Sequence, residues 1–141
     1  MTAQQHRRGH ERSDHLALKQ EGRQLLLRAG CEMVCCELHG ADVIGYRKAG
    51  ARILTIAIEY ERSVRNVLRN IRRDHEHQVD LVVTAGMTPE VTQAALRLVD
   101  RQLTPAERTR VRVLPVSSVT EVTLRGLMDV DSGLIQGSPD A

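Results

Sequence analysis

Residues 41–61, ADVIGYRKAGARILTIAIEYE, contain two apolar segments joined by a short break that includes a glycine. The second segment, residues 52–61, is rich in β-branched residues and predicts a strand. The first segment, residues 41–46, predicts the strand before it. Residues 47–51 have the length of a hairpin loop. The two segments therefore predict an antiparallel hairpin within a β-sheet.

The elements on either side of this hairpin alternate between helix and strand. A helix capped by Ser13 or Asp14 is expected to run to about Ala29, and residues 31–38 predict a strand. The later elements, in order, are a helix capped by Ser63, a buried strand at 80–84, a helix starting at Thr88-Pro89-Glu90, a strand at 110–116 and a short helix at 118–128. This order predicts an α/β fold: a mixed sheet with an antiparallel opening meander, a parallel continuation and helices on both sides.

The composition fits one small domain. The chain has 141 residues, of which 41% are hydrophobic, but no Phe, no Trp and only two Tyr. The core must therefore consist mainly of Leu, Val, Ile and Ala, and aromatic platforms for base stacking are not expected. We expect a disordered polar arm at residues 1–12, a single α/β domain at 13–130 and a flexible tail at 131–141.

The cysteines and the hydropathy pattern bear on the cellular compartment. Cys31, Cys35 and Cys36 form no CxxC pair, which argues against a zinc site or a disulfide framework and favours a reducing environment. No apolar run approaches the length of a membrane span, and the polar N-terminus lacks the apolar core of a secretory signal. These patterns predict a cytoplasmic protein that does not associate with a membrane.

Three acidic residues belong to the predicted hairpin. Glu59 and Glu61 lie two positions apart on one strand and therefore point to the same face. Their like charges repel unless a cation or a basic group lies between them. Antiparallel pairing brings Asp42 beside both. Three carboxylates at one point suit magnesium or manganese, which would polarise a phosphate and lower the pKa of a bound water.

The order α-β-β-β-α-β, with Asp42 opening the second strand and Glu59-Tyr60-Glu61 closing the third, resembles the PD-(D/E)xK nuclease superfamily over about residues 15–100. The resemblance implies a restriction endonuclease-like core in which Asp42 and Glu59 bind the metal. Glu61 stands where the family usually has Lys. Some restriction enzymes of the superfamily also carry Glu at this position.

The resemblance extends to the first helix. Glu21 resembles the helical acid of Holliday-junction resolvases and related exonucleases of the superfamily. The implied activity is that of a magnesium- or manganese-dependent deoxyribonuclease with Asp42, Glu59, Glu61 and Glu21 as catalytic residues. The implied partner is DNA, with RNA as an alternative.

A basic helix follows the acidic residues. Arginine recognises phosphate through a planar fork of donors, so a row of arginines next to the acids predicts contacts with a nucleic-acid backbone. The alternative is a solvated face partly paired with acids of the same helix. The candidate arginines are Arg62, Arg65, Arg69, Arg72 and Arg73.

Other interpretations stay open at this stage. The nuclease fold can persist without catalysis, as a module that binds nucleic acid or a partner protein through the basic helix. A flavodoxin-like domain would need a fully parallel sheet, which the hairpin spacing disfavours. His39, in the loop before Asp42, is a hydrogen-bond donor to phosphate, a neighbour of the nucleophilic water or a simple turn residue. The small size of the domain predicts a homodimer or a larger protein partner.

Overall fold

Five strands form one sheet whose spatial order is the order of the strands in the chain. The structure is a computed structural model that describes the backbone of residues 3–136 and the side chains of residues 14–131. The elements are α1 (Ala3–Arg28), β1 (Met33–Cys36), β2 (Val43–Ala49), β3 (Arg52–Glu61), α2 (Val67–Glu76), β4 (Leu81–Gly86), α3 (Pro89–Gln102), α4 (Pro105–Arg108), β5 (Val111–Pro115) and α5 (Glu121–Gln136), with single 3-10 turns at Leu38–Gly40 and Val116–Ser118.

The sheet is mixed. Strands β1, β2 and β3 pair antiparallel, and β3, β4 and β5 pair parallel. The prediction of an α/β fold with a mixed sheet is therefore confirmed. The β2–β3 turn is tighter than the predicted loop, because Ala49 already pairs with Arg52. Gly50 turns the chain with a φ of 65°, which favours glycine.

Helices cover both faces of the sheet. Leu26 of α1 and Met128 of α5 pack on one face with Ile58 of β3. Val67 of α2 and Ala95 of α3 pack on the other face, in a second cluster that includes strand residues. Because side chains alternate along a strand, Glu59 and Glu61 point to the face covered by α2, and Tyr60 points to the face covered by α1.

Several helix boundaries differ from those predicted. α1 starts at Ala3, so residues 3–12, predicted to be a disordered arm, continue the helix. This stretch lacks proline and contains good helix formers, so the Ser13 and Asp14 cap signals do not start a new helix. α5 extends to Gln136 and thus includes part of the predicted flexible tail. The remainder of the arm and tail predictions, at 1–2 and 137–141, lies outside the described residues.

The start of α2 was also predicted wrongly. Asn66 is its N-cap residue, and the helix begins at Val67. The hydroxyl of Ser63, predicted as the cap, instead accepts a bond of 3.4 Å from the Arg65 N–H. Within residues 3–136, no helix is both long and apolar enough to cross a membrane.

Two glycines allow a matched test of this packing. A Cβ added to Gly86 would lie 2.1 Å from Thr92 Oγ1 and 2.9 Å from the Thr92 backbone, whereas a Cβ on Gly126 of α5 would meet no described atom within 4 Å. We expect Gly86→Ala to lower the free energy of unfolding by about 1–3 kcal/mol through overpacking. Gly126→Ala should raise it by about 0.5–1 kcal/mol, because alanine is the better helix former. Urea denaturation of both variants measures the difference, and equal effects would contradict the packing described for β4 and α3.

Candidate functional site

The β2–β3 register places Asp42 beside Glu59. Val43, the first residue of β2, pairs with Ile58. Asp42, the residue before β2, therefore faces Glu59 of β3. The backbone N–H of Asp42 donates to Glu59 Oε1 at 3.3 Å. The backbone N–H of Tyr60 donates to Asp42 Oδ2 at 2.8 Å. The proximity of Asp42 and Glu59 thus follows from hairpin geometry alone.

Helix α2 presents three polar side chains to the two glutamates. Arg73 donates from Nη2 to Glu59 Oε2 at 2.8 Å and lies 3.2 Å from Asp74 Oδ1. Arg73 Nη1 also donates to Asn70 Oδ1 at 3.0 Å, and Asn70 Nδ2 donates to Glu61 Oε1 at 2.6 Å. Residues three and four apart lie on the same side of a helix, so Asn70, Arg73 and Asp74 act from one face.

Glu59, Arg73 and Asp74 form a buried charge cluster. The exposed fraction is 2% for Glu59 and 1% for Asp74. Burial raises the pKa of Glu59, the hydrogen-bonded and charged Asp74 raises it further, and Arg73 lowers it only in part. One guanidinium balances one carboxylate. We therefore infer that Glu59 holds a proton to higher pH than an exposed glutamate does.

A polar cleft with a volume of about 340 Å³ opens above this cluster. All three predicted acids line it, and so do three of the predicted arginines. The six residues are Asp42, Glu59, Glu61, Arg62, Arg69 and Arg73. Glu59 and Glu61 are buried, whereas Arg62 and Arg69 are exposed. The acids therefore form the floor of the cleft, and two arginines lie at its rim.

The electrostatics of the floor reflect its burial. Loss of solvent raises the pKa of Glu61, while the hydrogen bond from Asn70 lowers it and the charge of Asp42 raises it. Arg73 and Arg69 also lower this pKa through their charges. The cleft is thus a place where acids are stabilised by donors from α2.

Helix α1 contributes two side chains that sequence reasoning missed. His15 Nε2 lies 3.0 Å from Asp42 Oδ1. Lys19 is 6% exposed, lies 3.9 Å from the same oxygen and pairs with Glu37. His15 and Lys19 are four residues apart, which is the spacing of one helix face. The spacing groups the two residues on one face, but it does not show which strand or loop they contact.

The structure leaves three of the predicted residues outside the cleft. Glu21 is exposed and is not among the described residues that line it. Burial raises the pKa of Tyr60, and the negative charge of Glu21 raises it further. Tyr60 points to the opposite face of the sheet. Arg72 donates to the carbonyl of Gln102 at 3.3 Å, toward α3. Arg65 precedes the true start of α2, so it does not continue the predicted row of arginines.

His39 also lies apart from the cleft lining. Its ring stacks on that of His77, with centroids 4.2 Å apart. His39 has a φ of 55°, the left-handed conformation found in tight turns. Its observed neighbour is thus a second histidine.

The side chains do not fit a divalent cation held by three carboxylates. Within residues 14–131, no group of three or more His, Cys, Asp or Glu residues is arranged to hold a metal ion. Five of the six carboxyl oxygens of the predicted metal ligands already have a partner. The pairs are Asp42 Oδ1 with His15, Asp42 Oδ2 with Tyr60 N–H, Glu59 Oε1 with Asp42 N–H, Glu59 Oε2 with Arg73, and Glu61 Oε1 with Asn70. Ligation of magnesium or manganese stays a prediction that this arrangement does not support.

The chain matches no protein-family model, and comparison with curated proteins and with solved structures found no significant similarity. Function must therefore be argued from the geometry and charge of the cleft.

The charge cluster predicts a pH dependence of stability. Because the pKa of Glu59 lies above its ordinary value of 4.5, the folded protein holds this proton more tightly than the unfolded chain. The contribution is fully present below the ordinary pKa and is lost as pH rises toward the folded-state value. Glu59→Gln keeps a neutral side chain at every pH, so its stability should fall less than that of the wild type between pH 5 and 9.

Urea denaturation at pH 5, 7 and 9 measures this difference. Glu32→Gln, at an exposed position, is the matched control and should follow the wild-type curve. Parallel curves for Glu59→Gln and the wild type would contradict the raised pKa of Glu59.

Proposed function

We propose that this chain is a nuclease-like module that binds the phosphodiester backbone of DNA, or of RNA, through arginines at the rim of the cleft and without a divalent cation. One observation carries the proposal. Arg62 and Arg69 are exposed at the rim, and no described residue forms an ion pair with either guanidinium. Guanidinium groups that are free of carboxylate partners are available to phosphate.

The distribution of charge with depth supports this proposal. Arg73 already neutralises Glu59, and both oxygens of Asp42 have partners. An approaching polyanion therefore meets the two exposed guanidinium groups before it meets the buried acids. Ser63 and Asn66 also line the cleft and offer neutral donors of the kind that contact phosphate oxygens.

The order of elements supports a nuclease-like ancestry for the module. Helix α1, strands β1 to β3, helix α2 and strand β4 follow one another in the αβββαβ order of the PD-(D/E)xK superfamily. Asp42 opens the second strand region, and Glu59 and Glu61 close the third. In this proposal the fold retains the acids, while Arg73 provides the positive charge beside them.

Two arginines of the same helix provide a matched binding test. Arg69 lines the cleft, whereas Arg72 is turned toward α3. In buffer with EDTA, we expect Arg69→Gln to weaken binding of a labelled 20-nucleotide DNA by about tenfold, since a charge-assisted bond is lost. The slope of log Kd against log salt concentration should fall by about one, the change expected when one phosphate contact is lost. Arg72→Gln removes the same charge but should change Kd less than about twofold.

Fluorescence anisotropy over a series of salt concentrations measures both quantities for single-stranded DNA, duplex DNA and RNA of the same sequence. Equal losses in the two variants would show that net charge, and not the cleft, governs binding. Absence of wild-type binding to all three nucleic acids would overturn the proposal.

Metal-dependent cleavage is a second candidate function, and one observation favours it. Asp42, Glu59 and Glu61 all line the same cleft, as the superfamily resemblance implies. A cation bound to Glu59 Oε2 would displace Arg73, which donates to that oxygen at 2.8 Å. The two candidates therefore differ in whether the Arg73–Glu59 pair breaks when nucleic acid binds.

A cleavage assay separates the two candidates. We expect the wild-type protein to leave single-stranded, duplex and branched DNA uncut in magnesium or manganese, because the partners of the acidic oxygens are already in place. Cleavage that is present in the wild type and abolished in Asp42→Asn would instead establish the second candidate. Cleavage that is equal in both proteins would indicate a contaminating nuclease and leave the expectation standing.

A further inference from the structure

The chain leaves β4 and β5 toward opposite faces of the sheet. After β4 it enters α3, whose Ala95 and Val99 pack in the same cluster as α2. After β5 it enters α5, whose Leu124 and Met128 pack with α1 on the other face. Such a divergence opens a crevice at the carboxyl ends of the two parallel strands, which is where open α/β sheets bind their ligands.

A groove occupies this position, and we call it the β4–β5 groove. Its volume is about 500 Å³, within the range of about 300–1,000 Å³ that is usual for ligand sites. Apolar side chains form its walls, and Leu96 is 42% exposed there. The apolar wall residues are Met87, Pro89, Leu96, Val113, Pro115 and Val116.

The polar groups of the groove are few and uncharged. Gln93 and Ser117 line it, and none of the described residues that line it is charged. Thr88 also lines the groove, but its hydroxyl already accepts from Val91 N–H at 3.2 Å. Thr92 lines it as well, and its hydroxyl donates to the Thr88 carbonyl at 3.1 Å. Apolar walls with a few neutral hydrogen-bonding side chains suit a flat, uncharged ring with polar edges.

The groove adjoins the arginine-lined cleft. Glu61, which lines the cleft, is the strand partner of Gly86, which lines the groove. The backbone N–H of Met87 donates to the carbonyl of Glu61 at 2.9 Å. A phosphate in the cleft and the base of a neighbouring nucleotide in the groove would therefore lie along one continuous surface.

We propose that the β4–β5 groove binds one unstacked base of a single-stranded nucleic acid whose backbone lies in the cleft. This inference rests on the proposed function and adds a substrate class to it, because a base inside an intact duplex cannot enter the groove. Met87, Pro89 and Leu96 enclose the base, so the scarcity of aromatic side chains does not prevent recognition.

The test compares the affinity of the protein for a strand with bases and for a strand without bases. The probes are a labelled single-stranded oligo-dT and the same strand with abasic sugars throughout, which has the same number of phosphates. The wild type should bind the base-bearing strand about five- to tenfold more tightly, the low end of what stacking of one base on an aromatic side chain contributes, because the groove encloses the base with aliphatic side chains. Leu96→Gln should remove most of this preference. Val130→Gln, at a position 60% exposed on α5, is the matched control and should retain the preference.

The outcomes separate this inference from the proposed function. Binding that Arg69→Gln weakens, with equal affinity for base-bearing and abasic strands, would overturn the groove site and leave the backbone-binding function intact. Absence of binding to either strand would overturn both.

Photo-crosslinking locates the base directly. A strand carrying one 4-thiothymidine should crosslink to peptides containing residues 87–96 or 113–117. Crosslinks confined to peptides from α1 or α5 would contradict the assignment of the groove.

Discussion

The contact between Arg73 and the buried carboxyl groups of Glu59 and Asp74 is the constraint on which the site depends. Two carboxyl groups that are almost fully removed from water lie beside a single guanidinium, and burial together with Asp74 raises the pKa of Glu59. Removal of the arginine would leave this buried acid pair without its positive partner. This requirement holds α2 against the end of β3, because Asn70 and Arg73 reach the strand from the same helix face.

This arrangement determines what the cleft can bind. A divalent cation would compete with Arg73 for Glu59, and within residues 14–131 no group of three or more His, Cys, Asp or Glu residues is arranged to hold a metal ion. The exposed guanidinium groups of Arg62 and Arg69 offer a different chemistry, in which positive charge at the rim attracts phosphate and the buried acids serve as structure. The adjoining groove adds apolar surface without charge. In the proposed function, the cleft takes the phosphates of a nucleic-acid strand and the groove takes one of its bases.

Part of this arrangement was predictable from sequence. The β-branched run at 52–61 predicts β3 with its observed boundaries, and the hairpin before it places Asp42 beside Glu59 through register alone. The start signal at Thr88 and Pro89 is confirmed, since the Thr88 hydroxyl caps α3. These features depend on neighbours that are close in sequence.

The rest depends on contacts between distant segments. Helix α2 begins at Val67 and not at Ser63, so Arg65 drops out of the row of arginines. Packing of the helix turns Arg73 toward Glu59 and Arg72 toward α3. The resemblance assigned Glu21 to the catalytic site because it lies in the first helix. That helix covers the other face of the sheet, and the charge of Glu21 acts on Tyr60 there. The role of Lys19 depends on a contact with the loop residue Glu37, and no local pattern encodes that contact.

The most direct test of the central claim is the affinity of the wild-type protein for single-stranded DNA measured with EDTA and then with magnesium at matched ionic strength. If Arg73 provides the positive charge beside the acids, the two dissociation constants should agree within about twofold, because no counter-ion has to be supplied. Binding that appears only with magnesium, or tightens by more than about tenfold, would show that the acids take a metal and would contradict this account.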